Sequence, residues 1–167
     1  MSQGLQLIEP VVVALVDRIE NGIAAEVAIA NLDITDGYTI EAPAQVLDYI
    51  PPLPTILAFP TVGIQHSGGA FEDDNCWSAT GVWDAAVVVF VQDADQAGLV
   101  RRLRRLTRAL ARVVLAQRQI TGTGVWSVNL VRVDYGPTLG ELPPDERVVT
   151  TYWSWASLQV QCRQDEA

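Results

Sequence analysis

The segment that most constrains the fold is Leu99 to Arg118, which gathers seven of the eleven basic residues of the chain. At about 100° per residue, its apolar side chains share one stripe: Leu99, Leu103, Leu106, Leu110, Val113 and Val114. Five arginines fall on the opposite face: Arg101, Arg104, Arg105, Arg108 and Arg112. The pattern predicts an amphipathic helix with one face packed on the protein and the other facing solvent or a partner.

Apolar segments on both sides of this helix predict strands. Val82 to Val91 is rich in β-branched residues, and its continuous apolar run indicates burial on both faces. Val125 to Tyr135 alternates between two faces, and Val148 to Cys162 is long for a strand of a globular sheet. Asp93 to Asp95 precedes the arginine-rich helix, and we expect it to supply the N-terminal cap.

The N-terminal part predicts a helix of about three turns, which Pro10 starts and Asn21-Gly22 ends. We expect Ile23 to Ala30 to form a strand, although its apolar pattern also fits a second short helix. The prolines at 51, 52 and 54 exclude a helix and predict an extended approach to a strand from Thr55 to Ile64.

Two segments, 64–80 and 136–147, are predicted to be long loops, and a short polar tail follows the last strand. The first contains Gly68-Gly69, a turn sequence, followed by an acidic run. Together the segments predict one α+β domain over residues 1–167, with a mainly antiparallel sheet. The N-terminal helix and the arginine-rich helix are expected to pack on one face of that sheet.

Composition excludes several function classes. A hydrophobic fraction of 49% excludes a disordered chain. A net charge of −9 and a pI near 4.4 argue against nucleic-acid binding by the surface as a whole, although a local basic face remains open. All eleven basic residues are arginine. We attribute this usage to a GC-rich genome in preference to a need for planar, bidentate donors.

The acidic residues are separated from the arginine-rich helix, and three of them, Glu72, Asp73 and Asp74, form one run. Such segregation suits head-to-tail contact between copies, in which an acidic loop of one copy meets the arginine face of the next. The same three carboxylates lack the alternating ligands and central glycine of a calcium loop, so we interpret them as a solvated loop.

No catalytic, cofactor-binding or metal site is predicted. The one histidine, His66, stands beside Ser67, but no carboxylate is spaced to orient the imidazole. Cys76 and Cys162 match no metal-ligand spacing and are too few for a disulfide scaffold. Residues 121–124 form a glycine-rich turn that follows a helix, the reverse of the order in phosphate-binding loops. No segment is apolar and long enough to span a membrane.

Trp153 and Trp155 share one face of the last predicted strand. Tryptophan is enriched at subunit interfaces, so the pair is a candidate for an interface. We favour burial in the core, because sheets of small α+β domains bury one face under helices.

The order of elements resembles that of the tail terminator proteins of long-tailed bacteriophages and of the related neck and tail-completion proteins. The resemblance covers about Pro10 to Cys162 and rests on element order instead of a signature motif. Two segments carry it: Val82 to Leu115, with VWDAAVVVFVQDADQAGLVRRLRRLTRALARVVL, and Val148 to Val160, with VVTTYWSWASLQV.

The resemblance implies a non-enzymatic protein without cofactors that caps the head-proximal end of the tail tube as a ring, usually a hexamer. It would join the tail tube protein to the head-tail connector in the virion, after assembly in the bacterial host cytoplasm. DNA would pass through the ring without sequence-specific binding. The two predicted loops would dock the partners. No family catalytic residue exists to carry over.

Three alternatives stay open. The chain is another neck or minor tail component, a nucleic-acid-binding module that places the arginine face on phosphates, or, least favoured, a hydrolase that uses His66 and Ser67. Net charge and the lack of aromatic residues between the arginines argue against the nucleic-acid module.

Overall fold

The computed structural model describes residues 8–32, 34–75, 78–120, 125–141 and 151–165. Two long helices are present in this part, α1 (Ile8–Leu32) and α2 (Gln96–Leu115), together with a short 3-10 turn at Leu53–Thr55. The strands are β1 (Gln45–Leu47), β2 (Thr61–Asn75), β3 (Ser78–Asp93), β4 (Val125–Tyr135), β5 (Leu139–Glu141) and β6 (Thr151–Asp165).

These strands form one sheet in the order β1-β2-β3-β6-β4, with β5 paired to an end of β6. β1 runs parallel to β2, and the other pairs are antiparallel. The two helices pack on one face of this sheet. The prediction of an α+β fold with a mainly antiparallel sheet and both helices on one face is therefore confirmed.

The main core lies between the helices and the sheet. All six residues of the predicted α2 stripe are buried, and the face of β3 that they meet contributes Val87 and Val89. α1 adds Leu15 and Ile19, which are fully buried. The predicted cap is also present, because the Asp95 carboxylate accepts hydrogen bonds from the backbone N–H groups of Ala97 and Gly98.

α1 is a single helix through Asn21-Gly22, so the predicted stop and the predicted strand from Ile23 to Ala30 are wrong. Gly22 lies where α1 meets α2, and a Cβ atom there would stand 2.9 Å from Val113 Cγ1. The glycine lets the two helices approach closely instead of ending one of them. The Asn21 side chain donates to the Asp17 carbonyl, one turn earlier in the same helix.

The predicted loop at 64–80 is also wrong, because β2 and β3 run through most of it as a long hairpin. Gly69 leaves room for the indole of Trp83, since a Cβ atom there would lie 2.2 Å from Trp83 Cε3. Gly81 does the same from β3 itself, with a Cβ position 2.8 Å from the indole Nε1. The glycines therefore accommodate a large side chain inside a strand and do not form a turn.

The remaining segment predictions need smaller corrections. β2 begins at Thr61 and not at Thr55, because residues 53–55 form the 3-10 turn. The predicted loop at 136–147 contains β5, which pairs with β6, and residues 142–147 lie outside the described part. The predicted polar tail is strand as far as Asp165, which pairs with Thr80 of β3.

A second, smaller apolar cluster lies on the sheet face opposite the helices. It contains Ala86, Val88 and Phe90 of β3 with Ile56, and the chain around residues 50–59 covers it. Trp155 packs against this cluster and is also covered by Gly136, whose Cβ position would stand 2.3 Å from the indole Nε1. Trp153 is half-buried and pairs with Gln92 of β3 and Leu139 of β5.

Candidate assembly surface

The arginine face of α2 is the strongest candidate for a functional surface. Packing of the apolar stripe fixes the helix, so the side chains opposite it project from a rigid element. The structure divides the five predicted arginines into two groups. Arg101, Arg105 and Arg112 have acidic partners in the same chain, whereas Arg104 and Arg108 have none among the described residues.

The first group begins with two arginines that share one carboxylate. Arg105 Nη2 lies 2.7 Å from Asp36 Oδ2, and Arg101 Nη1 lies 3.2 Å from the same oxygen. Arg105 also donates to the Tyr38 carbonyl. The hydrogen bond from Arg105 lowers the pKa of Asp36 to about 2. This part of the arginine face is therefore partly neutralised within the chain.

Tyr38 packs this acidic segment onto the start of α2. Its ring stands against Gly98, where a Cβ atom would lie 2.8 Å from Tyr38 Cε1, and the guanidinium of Arg101 lies 4.9 Å from the ring centroid. The Tyr38 hydroxyl hydrogen-bonds to Asp95, which raises the pKa of Tyr38 and lowers that of Asp95. The Tyr38 hydrogen bond thus connects the N-terminal cap of α2, Asp95, to the segment that contains Asp36.

A further ion pair connects α2 to α1. Arg112 Nη1 lies 3.5 Å from Glu26 Oε2. That oxygen is buried and accepts no hydrogen bond from a described residue, so the pair is an electrostatic contact without a hydrogen bond. Glu26 and Arg112 line a groove of about 240 Å³ between the helices, together with Ile29, Ala30, Ile34, Arg105, Arg108 and Ala109.

Arg104 and Arg108 are exposed and stand one helical turn apart. Residues at this spacing are neighbours on a helix surface, so the two positive charges repel each other weakly and gain from a negative partner. No ion pair or hydrogen bond joins either guanidinium to any described residue. They form a positive patch on a chain of net charge −9.

The predicted acidic partners, Glu72, Asp73 and Asp74, lie in the last part of β2 and not in a loop. In the backbone register, Glu72 stands opposite Thr80 and Asp73 opposite Ala79. The structure describes the backbone of these three residues but not their side chains.

Sequence analysis missed the acidic partners that the structure gives to α2. Asp36, Glu26 and Asp93 take this role, the last of them paired with Arg102. Two of the three partners are more than sixty residues from their arginine. No spacing rule connects them, and only the acidic character of the segment around Asp36 was a signal.

Arg18 has a structural role that sequence analysis did not find. Its Nη1 donates to the carbonyls of Val114, at 3.0 Å, and Gln117, at 2.8 Å, and its Nη2 donates to that of Gln119, at 2.5 Å. A cation placed on the last carbonyls of a helix satisfies them and favours the helix dipole. Arg18 of α1 therefore caps the C-terminal end of α2, using both branches of its guanidinium.

Among the described residues, the side chains considered for chemistry are not assembled into a site, and Cys76 and residues 121–124 lie outside the described part. His66 is exposed on β2, and its ring meets Trp83 edge-on with the centroids 6.3 Å apart. Cys162 is buried in the core, and this burial raises the pKa of its thiol to about 11. Within the described ranges, no three acidic, histidine or cysteine side chains are grouped as metal ligands.

No protein-family model matches the sequence, and no curated protein matches it. Among solved structures, the fold is similar to a chain of a structure titled "Virion of native gene transfer agent (GTA) particle". The two chains share 13% identity with a TM-score of 0.46, and the match covers 89% of this chain and 98% of that chain. Neither described helix is long and apolar enough to cross a membrane.

Proposed function

We propose that this chain is a structural, non-enzymatic virion protein that forms a ring at the head-proximal end of a phage tail. There it would end the tail tube and join it to the capsid connector. The proposal starts from the order of elements, which resembles that of tail terminator and neck proteins. The observation that carries it is the exposed pair Arg104 and Arg108, which no described acidic residue neutralises.

The physical argument is one of charge. A chain of net charge −9 repels its own copies unless a positive patch meets a negative one. Arg104 and Arg108 offer such a patch on a rigid helix, whereas Arg101, Arg105 and Arg112 already have partners. Two different patches on one chain produce a head-to-tail contact, which closes as a ring or continues as a filament.

The partners of such a ring would be other copies, the tail tube protein and the connector. DNA would pass through the centre without sequence-specific contact. An acidic protein suits that passage, since phosphate affinity depends on the number of lysine and arginine contacts. Its location would be the virion, after assembly in the host cytoplasm.

The first experiment is light scattering of the purified chain over a concentration series, with negative-stain images of the largest species. We expect closed rings of a few copies, usually six, with a central hole. A protein that stays monomeric at every concentration would contradict a self-assembling ring and favour another neck component or a binding module.

Charge reversal tests the two arginines. We expect R104E/R108E to remain folded, as judged by circular dichroism, and to lose the rings. R118E is the control for the single variant R104E, which we expect to weaken the rings, because Arg118 is also exposed and the change in charge is the same. Rings that survive R104E/R108E would show that this face is only a solvated surface.

The same exposed pair supports a second candidate, a module that binds nucleic-acid phosphates. It predicts duplex binding that weakens steeply with salt and is lost in R104E/R108E. Ring formation without such binding would exclude it.

A further inference from the structure

Two strand edges are open in this sheet. β1 pairs with β2 only at Thr61 to Gly63, so no described strand pairs with the outer side of β2 from Gln65 to Ala70. Residues 48–50 and α1 line a groove beside Gln65 and His66, at the start of this segment. β4 is the last strand at the other end of the sheet, and no described strand pairs with its outer side from Ser127 to Arg132. Among the described residues, each edge presents backbone N–H and C=O groups without a strand partner.

These two edges lack proline and lysine, two of the usual protections against pairing. Neither segment contains proline, and the chain has no lysine to place there. Each has one irregularity in its register, between His66 and Gly68 in β2 and between Leu130 and Arg132 in β4.

The two edges also stand at the same level of the sheet. Following the register across the strands places Ala70 opposite Val82, Val82 opposite Arg163, and Arg163 opposite Ser127. At the other end, the same path joins Gln65, Ala86, Gln159 and Arg132. The open segments therefore begin and end at matching heights, on opposite sides of one chain.

The strand directions and the pleat of β2 and β4 also permit them to pair. The strands β2, β3, β6 and β4 alternate in direction, so β4 runs opposite to β2. A neighbouring copy related by rotation about an axis along the strands would bring its β2 antiparallel to this β4. The register places Val128 level with Gly69 and Asn129 level with Gly68, so each side chain would keep to its own face of the sheet.

We propose that β4 of one copy pairs with β2 of the next, over Ser127 to Arg132 and Gln65 to Ala70, so that the sheet continues from copy to copy. This inference rests on the proposed ring and names the contact that closes it. The contact is heterologous, and the level match lets it close without a step along the strands.

A disulfide test measures this register directly. In a C76S background, the A70C/S127C variant places two cysteines at one level, and paired residues of antiparallel strands have the Cα spacing that a disulfide needs. We expect mild oxidation to give a ladder of covalent oligomers up to the ring number. A70C/D134C is the control, since Asp134 is on the same edge and face but about 20 Å further along at 3.3 Å per residue.

Each outcome of the disulfide experiment supports or overturns the pairing of β4 with β2. Ladders in A70C/S127C and their absence in A70C/D134C support the pairing. Rings that form without a ladder in A70C/S127C overturn the pairing and leave the ring standing. Equal ladders in both variants indicate random collision and also overturn it. A chain that forms no rings overturns the ring and the pairing together, and circular dichroism of both variants shows that they are folded.

Discussion

Two sets of arginines on the helical side of the molecule differ in what they hold. Arg18, Arg101 and Arg105 each contact groups from a distant part of the chain, and so they fasten one element to another. Arg104 and Arg108 lie on the same face of α2 as Arg101, but their guanidinium groups contact no described partner. A charged helix face is therefore not one functional unit, since Arg101, Arg105 and Arg112 make contacts within the fold and only Arg104 and Arg108 are free for another molecule.

The largest effect on stability is expected at Arg18. R18A removes three hydrogen bonds from a cation, one to the Val114 carbonyl in the last turn of α2 and two to the carbonyls of Gln117 and Gln119 just after the helix. We expect the free energy of unfolding to fall by about 2 kcal/mol. R18K keeps the charge but loses the planar fork, so its loss should be smaller. Urea denaturation of the monomer measures both. If R18A changed the free energy of unfolding as little as the replacement of an exposed arginine does, Arg18 would belong with Arg104 and Arg108.

The arginine partners show where sequence analysis stops. The stripe of α2 was predictable because its period of 3.6 residues is local, and its six apolar members are buried as expected. The contact of Arg105 with Asp36 joins residues 69 positions apart, and no local period encodes it. Charge could be predicted from the sequence, but which charges are already paired could not.

The glycines give the same lesson for the fold. Asn21-Gly22 and Gly68-Gly69 are turn sequences by local chemistry, and both are inside regular elements. In each case the reason is a side chain of another element that stands close to the glycine, Val113 at Gly22 and Trp83 at Gly69. A local rule cannot distinguish a glycine that bends the chain from one that makes room for a neighbour.

The next effect is a dependence on pH. The pKa of Asp36 is about 2 in the folded chain, below about 3.9 for an unperturbed aspartate, so the unfolded state binds more protons between these values. The stabilisation from Asp36 is therefore complete above about pH 5 and is lost as the pH falls toward 2. We expect the difference in unfolding free energy between wild type and D36N to shrink over that range.

An NMR titration measures the Asp36 pKa itself. In R105A, which removes the largest cause of the shift, the pKa should rise toward its ordinary value. An Asp36 pKa that is the same in wild type and R105A would show that Arg105 does not hold this carboxylate, and would move Arg105 to the free set.

The smallest effect on stability is expected at Arg104 and Arg108. A small effect there would distinguish them from Arg18, Arg101 and Arg105, which hold parts of the fold together. Because their guanidinium groups contact no described partner, R104A/R108A should change the free energy of unfolding by less than about 0.5 kcal/mol, as exposed substitutions usually do. Removing two neighbouring positive charges also relieves their repulsion on the helix, which offsets part of any lost packing of the side-chain stems. The same variant should reduce ring formation in light scattering at equal protein concentration. A double variant that loses stability as R18A does would mean that these arginines serve the fold, and the case for an assembly surface on α2 would be lost.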